Sequence, residues 1–365
     1  MITFSKKPFF IFLLFFSLHI ELNAQSNFEK AQVLLKDAIK LTDDGDVNQS
    51  IEILKEARKL DPKNYEYDYE IGYVLYLKRD FKESLKTLKY VVYNFNNCTD
   101  KCYQLLGNLY DINGKPKKAL KVYDEGLVKF PKSGRLYLEK GITFLLEKKY
   151  NEALNNFEKG IKVEPDFASN YYRAALIYCN SSEAVWGMIY GEIFINLERG
   201  TRRTDEMSKV LYQTYLNKIS IVENKATAQF SKNATLYIDP ENFNAEKFKL
   251  PFGIGFYDPT MLLALTNSKQ LNLEELNKIR TSFLNVYNTD ENRKRYPNAL
   301  FEHQLMIQEK GFLEAYNYWV LHIGNEAEFE SWKNIHAKEW KQFLDWFIQN
   351  PIQLDEKSVF HRNHY

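Results

Sequence analysis

The stretch Tyr103–Pro131, YQLLGNLYDINGKPKKALKVYDEGLVKFP, is echoed 34 residues on by Tyr137–Pro165, YLEKGITFLLEKKYNEALNNFEKGIKVEP. Tyr103, Gly107, Ala119, Tyr123, Gly126 and Pro131 return as Tyr137, Gly141, Ala153, Phe157, Gly160 and Pro165. Upstream, Ser50, Leu54 and Ala57 return at the same interval as Ser84, Leu88 and Val91, while one extra residue separates Gly72 from Gly107. A period of this length is that of a helix–turn–helix unit, which buries its apolar face only by stacking on its neighbours. The residue types agree with that reading. Gly72, Gly107, Gly141, Ala119 and Ala153 are small where two helices must approach closely, and Leu54, Leu88, Tyr123 and Phe157 are large enough to fill the space between them. Pro62, Pro131 and Pro165 fall where each second helix must stop. Pro116 falls near the start of one, where a missing N–H costs nothing.

The pattern resembles the tetratricopeptide repeat, W-x2-L-G-x2-Y followed by A-x3-F, A and P. Here it reads Y-x2-L-G-x2-Y from Tyr103 to Tyr110 and Y-x2-K-G-x2-F from Tyr137 to Phe144. Repeats are assigned at 31–64, 65–99, 100–133 and 134–167, with a partial fifth at 168–180 in which Tyr171, Ala175 and Tyr178 keep register. The first repeat departs from the pattern, with Ala38 in place of the glycine and Asp37 where an apolar residue is usual. The expected fold is all-α: a superhelix of helical hairpins over 25–180, followed by a second, mostly helical domain over 181–365.

The resemblance implies a concave face lined by the first helix of each repeat. At the corresponding positions stand Tyr69, Tyr73 and Tyr76, then Gln104, Asn108 and Asp111 with Lys101, then Arg135, Leu138, Ile142 and Leu145, then Tyr172. Tyrosines give broad contact area with a hydroxyl at the tip, amides can pair with an extended backbone, and the leucine–isoleucine set can receive an apolar side chain. The expected function is non-enzymatic binding of a protein or peptide. Apolar residues on a repeat face need cover, so the chain's own C-terminal half is an alternative occupant. The Lys and Asn set with which chaperone-binding members of the family clamp a terminal carboxylate is absent.

The N-terminus has the form of a secretory signal. Lys6 and Lys7 precede an apolar run from Phe9 to Ile20, shorter than a membrane-spanning helix, and cleavage is expected after Ala24. Of 49 basic and 48 acidic residues, Lys6, Lys7 and Glu21 leave with residues 1–24, so 47 of each remain. That balance argues against a nucleic-acid partner, which selects for basic excess. Arg199, Arg202 and Arg203 lie beside Glu198, Asp205 and Glu206 and read as a solvated, paired face. The expected location is the periplasm or outer-membrane periphery of a Gram-negative bacterium, with no membrane span after cleavage. Cys98 and Cys102 stand near a helix start at a spacing open to either a short disulfide or two thiols, and Cys179 is alone.

In the second half, 183–198 reads as a buried helix packed on the last repeat, and 205–222 as a helix. Residues 223–259, rich in Pro and Gly, form an irregular connection with extended pieces at Gln229-Phe230 and Ala234–Ile238. Helices are expected near 259–268, 273–288, 297–309, 311–322 and 326–348, with Asp258-Pro259 and Asn325 as starts. Trp319, Trp332, Trp340 and Trp346 read as core anchors. No catalytic, metal or cofactor motif is found. A periplasmic enzyme with its catalytic domain in this half would need His303, His322 or His336 to converge with carboxylates. A structural subunit of an envelope assembly is the remaining alternative.

Overall fold

The computed structural model describes residues 9–223, 225–232, 250–355 and 362, with side chains from Ser26 onward. The leader expected at 1–24 therefore lies partly outside the described residues, as does Ala234–Ile238. Contacts divide the chain into two compact units, Met1–Pro131 and Lys132–Tyr365. The fourth repeat thus groups with the second half, not with the first three repeats.

In the first unit six helices form three hairpins: α1 (Phe9–Asp43) with α2 (Val47–Leu60), α3 (Glu66–Leu77) with α4 (Phe81–Asn94), and α5 (Asp100–Ile112) with α6 (Pro116–Lys129). Each helix packs on the next, and the first helices also meet one another, α1 on α3 and α3 on α5. Within each hairpin the turn is the same device. Gly45, Arg79 and Gly114 have φ of 89°, 61° and 69°. The following N–H reaches back five residues to a carbonyl, Asp46 to Leu41, Asp80 to Leu75 and Lys115 to Tyr110. This is the left-handed cap that satisfies carbonyls left open at a helix end. Asp46 and Asp80 then cap the next helix, accepting from Gln49 N and Glu83 N.

The second unit opens with α7 (Gly134–Leu146), α8 (Tyr150–Val163) and α9 (Ala168–Cys179), packed in sequence. Lys148 repeats the turn with φ 59°. Next comes α10 (Ala184–Leu197), in which Leu197 alone is not buried. A helix apolar all round must be enclosed. Gly187 allows this on one side, since a Cβ there would meet the Cys179 backbone nitrogen at 2.5 Å. One turn further along the helix Gly191 faces Met207 and Leu211 of α11 (Arg202–Lys218).

The helix expected to reach 222 ends at Lys218, because β-branched Ile219, Ile221 and Val222 continue as an antiparallel hairpin, β1 (Ile219–Val222) with β2 (Lys225–Ala228). The chain after it bends at Phe230, whose carbonyl accepts from Val185 N, and Ser231 forms an isolated bridge with Glu183. After a short π-helical turn (Gly253–Tyr257), α12 (Asp258–Ala264), α13 (Leu273–Tyr287), α14 (Asp290–Arg295), α15 (Ala299–Glu309), α16 (Leu313–Leu321), α17 (Glu326–Ile335) and α18 (Ala337–Gln349) complete the unit. Asp258 is not the start it resembles. The preceding residues are already helical, so its carboxylate instead accepts from Phe230 N and Ser231 N, and burial pushes it up to about 6. Asn325 does cap α17, accepting from Glu328 N. The single helix expected over 326–348 breaks at His336.

The core of this second unit is aromatic, with Phe252, Phe256, Tyr257, Phe283 and Phe301 in mutual ring contact. At its centre is an ion pair. Arg280 of α13 donates to both carboxylate oxygens of Glu192 in α10, at 2.6 and 2.9 Å. Gln304 and Tyr316 donate to the same carboxylate, and Asn317 accepts from Arg280 Nε. Every one of these groups is buried.

Candidate functional site

The hairpins are built by fitting one large residue over one absent side chain. A Cβ on Gly72 would lie 1.7 Å from Leu88 Cδ2, on Gly107 2.1 Å from Tyr123 Cε1, and on Gly141 2.2 Å from Phe157 Cε1. These are the small and large positions of the sequence repeat, paired within each hairpin. Where the repeat has Ser50 and Ser84, each hydroxyl donates to the carbonyl of the small residue opposite, Ala38 and Gly72, at 2.9 and 2.6 Å. The hairpins have the paired small-and-large packing that the tetratricopeptide resemblance implies.

No family model matches the chain. Over 143 residues it is 25% identical to the Homo sapiens protein O-mannosyl-transferase TMTC1, covering 38% of this chain and 16% of that relative. Among solved structures, the Pseudomonas aeruginosa protein PilF is similar at TM-score 0.45 and 14% identity, over 53% of this chain and 86% of its own. A thermophilic TPR protein of Thermus thermophilus gives 0.42 and 16%, over 50% and 98%. YrrB, described as a TPR protein with an unusual peptide-binding site, gives 0.34 and 18%, over 48% and 89%. At these TM-scores the likenesses carry no further inference for this chain.

In the first unit the repeats present Tyr69, Tyr73 and Tyr76 along α3. Tyr73 is 37% exposed and its ring lies parallel to that of Tyr76, with centroids 6.5 Å apart. Tyr69 and Tyr76 are half-buried, and Tyr76 also meets Phe81. Burial pushes the Glu70 carboxyl up, with the nearby charge of Lys101 opposing. On α5, Gln104, Asn108 and Asp111 are half-buried. Asn108 is not the open amide the sequence suggests, because its Oδ1 accepts from the Tyr123 hydroxyl at 2.5 Å.

The second unit treats the corresponding residues differently. Arg135 and Ile142 are half-buried, with the Arg135 guanidinium over the Phe167 ring. Leu138 and Tyr172 are core residues, 9% and 5% exposed. Tyr172 packs on Phe194 of α10 and donates its hydroxyl to Glu206 of α11 at 2.6 Å, with Arg203 stacked over its ring. The next two helices therefore cover α9 at Tyr172. The charged stretch at 198–206 is exposed at Arg202, Asp205 and Glu206, as read from sequence, with Arg199 departing from that reading. Arg203 does pair with Glu198, but Arg199 lies 3.7 Å over the Phe347 ring and donates to the Phe347 carbonyl.

The three histidines stand in separate surroundings. His303 is buried beside Phe347, and burial with the charge of Arg199 pulls its imidazole down to about 4. His322 has a carboxylate and a hydroxyl near it, Asp205 at 3.6 Å and Ser208 at 3.3 Å. This is no nucleophile triad. Nδ1 is 2.7 Å from the Trp319 carbonyl, and Ser208, itself buried, accepts from Ile323 N. His336 stacks on Trp332, which is buried and donates to Glu314. The convergence that a catalytic second half would need is not found among the described residues. Cys98 and Cys102 are both buried free thiols.

One buried group escaped the sequence entirely. Glu158 of α8 is enclosed by Tyr178, Tyr190 and Arg362. Arg362 is too far away in sequence for any spacing argument to bring it to α8.

Proposed function

We propose that this protein is a non-enzymatic binding scaffold whose repeats in the first unit receive an extended protein segment across α3 and α5. The observation that carries the reading is Tyr73, a large aromatic left exposed beside a parallel Tyr76 on the first-helix side of the stack. Tyrosine pairs of this kind anchor interfaces because they bury much area at little entropic cost. Gln104 and Asp111 lie further along the same side. The Leu138 and Tyr172 positions have no part in it, since they are buried.

Export by residues 1–24 and action in the periplasm or at the outer-membrane periphery belong to the same proposal. The basic start, the apolar run and the small residue at Ala24 support it.

The test is crosslinking in the native host followed by mass spectrometry, with Tyr73→Ala set against Tyr90→Ala. Tyr90 is exposed but sits on the second helix of its repeat. Tyr73→Ala is expected to cut capture of the dominant partner by about tenfold, as loss of one aromatic anchor does, with Tyr90→Ala near wild type. Equal capture by both variants rejects the groove. Recovery of the envelope protein with its first 24 residues still attached rejects export by cleavage.

A further inference from the structure

Glu158 is 4% exposed, yet it carries a carboxylate. Its Oε1 accepts from the hydroxyls of Tyr178 in α9 at 2.8 Å and Tyr190 in α10 at 3.3 Å. Burial pushes both phenols well above their ordinary range, so they stay protonated and serve as donors. Phenols donate hydrogen bonds but bring no charge, and a buried carboxylate without a cation is strongly unfavourable. The cation is Arg362, whose Nη2 lies 3.2 Å from Oε2. No other ion pair to Glu158 is present among the described residues.

The geometry is that of a slot entered from the surface. The Arg362 side chain is 44% exposed while its partner carboxylate is 3% exposed. The guanidinium sits over the Tyr178 ring at 5.9 Å, and the main-chain N–H of Arg362 donates to the Tyr190 hydroxyl at 3.2 Å. Both the side chain and the backbone of one arginine residue are therefore recognised: the charge by Glu158 with the Tyr178 ring nearby, the peptide N–H by Tyr190. All three recognising residues lie in rigid, consecutively packed helices.

We propose that Glu158, Tyr178 and Tyr190 form an arginine-binding slot, occupied here by Arg362 of the same chain, which accepts an arginine residue of a peptide when Arg362 does not fill it. The slot is independent of the Tyr73 face. Lysine fits it less well, since an ammonium is more strongly hydrated than a guanidinium and loses more on meeting a buried carboxylate.

The test uses the full chain and a short peptide with blocked ends carrying a single arginine, with lysine and citrulline versions as controls. Calorimetry should show that Arg362→Ala binds the arginine peptide at least about tenfold more tightly than wild type, because the resident competitor is gone. Citrulline, of the same shape but neutral, should not bind, and lysine should bind less well. Adding Glu158→Gln to Arg362→Ala should abolish the gain, while adding Tyr73→Ala should leave it intact. If Arg362→Ala does not fold, Arg362→Gln keeps the stem and is measured in the same way. A folded Arg362 variant with no gain, or a gain that survives Glu158→Gln or extends equally to citrulline, overturns the proposal.

Discussion

Gly107 is bare because the Tyr123 ring occupies the place of a side chain. The contact is with a ring packed in a fully enclosed core, so it cannot yield as a flexible chain end would. Gly107→Ala is expected to destabilise the first unit by about 1–3 kcal/mol, the usual cost of overpacking, read as a lower urea midpoint. An unchanged midpoint would mean that the ring moves aside freely. Such residue pairs were legible from sequence, because a small and a large residue recurring together leave a periodic trace. Single hydrogen bonds were not. Nothing in the sequence says that Asn108 accepts a hydrogen bond from Tyr123.

The hairpin turn is the element that repeats most faithfully in backbone shape, yet its residues vary. Gly45 and Gly114 take the left-handed conformation at no steric cost, while Arg79 and Lys148 take it against the preference of any residue with a Cβ. Lys148→Gly is expected to raise stability by about 1 kcal/mol, the size of that strain, measured as a higher Tm with the same unfolding cooperativity. A lower Tm would show that the lysine side chain contributes more than its backbone costs. The turn also shows why helix ends were harder to place than helices. Apolar periodicity marks α13 well and α18 best. It passes straight through the break at His336, because Trp332 and Trp340 face the same core on either side of it. The extra helix α14 has no buried residue and so leaves no apolar pattern to find.

At the scale of the whole molecule, the first unit was legible because each repeat contacts only its neighbours. The second was not, because it is organised around contacts that are distant in sequence. Glu192 and Arg280 are 88 positions apart, and each looks like an ordinary charge in an ordinary helix. Their pairing joins α10 to α13, with α15 and α16 contributing Gln304, Tyr316 and Asn317. Removing one partner leaves the other buried and uncompensated, so Arg280→Met is expected to cost about 3–5 kcal/mol. Combining it with Glu192→Leu should cost less than the two single changes summed, as chemical unfolding of all three variants would reveal. Strict additivity would contradict a direct coupling.

The near-complete burial of α10 also bears on how the chain is made. While a ribosome has released residues only as far as Cys179, Tyr171, Tyr172 and Tyr178 of α9 lack the Tyr190 and Phe194 rings that they pack on. Those groups stay wet until about twenty further residues emerge, a delay of about one to a few seconds at ordinary translation speed. Newly synthesised chains therefore pass through an adhesive stage that ends only once α10 has emerged.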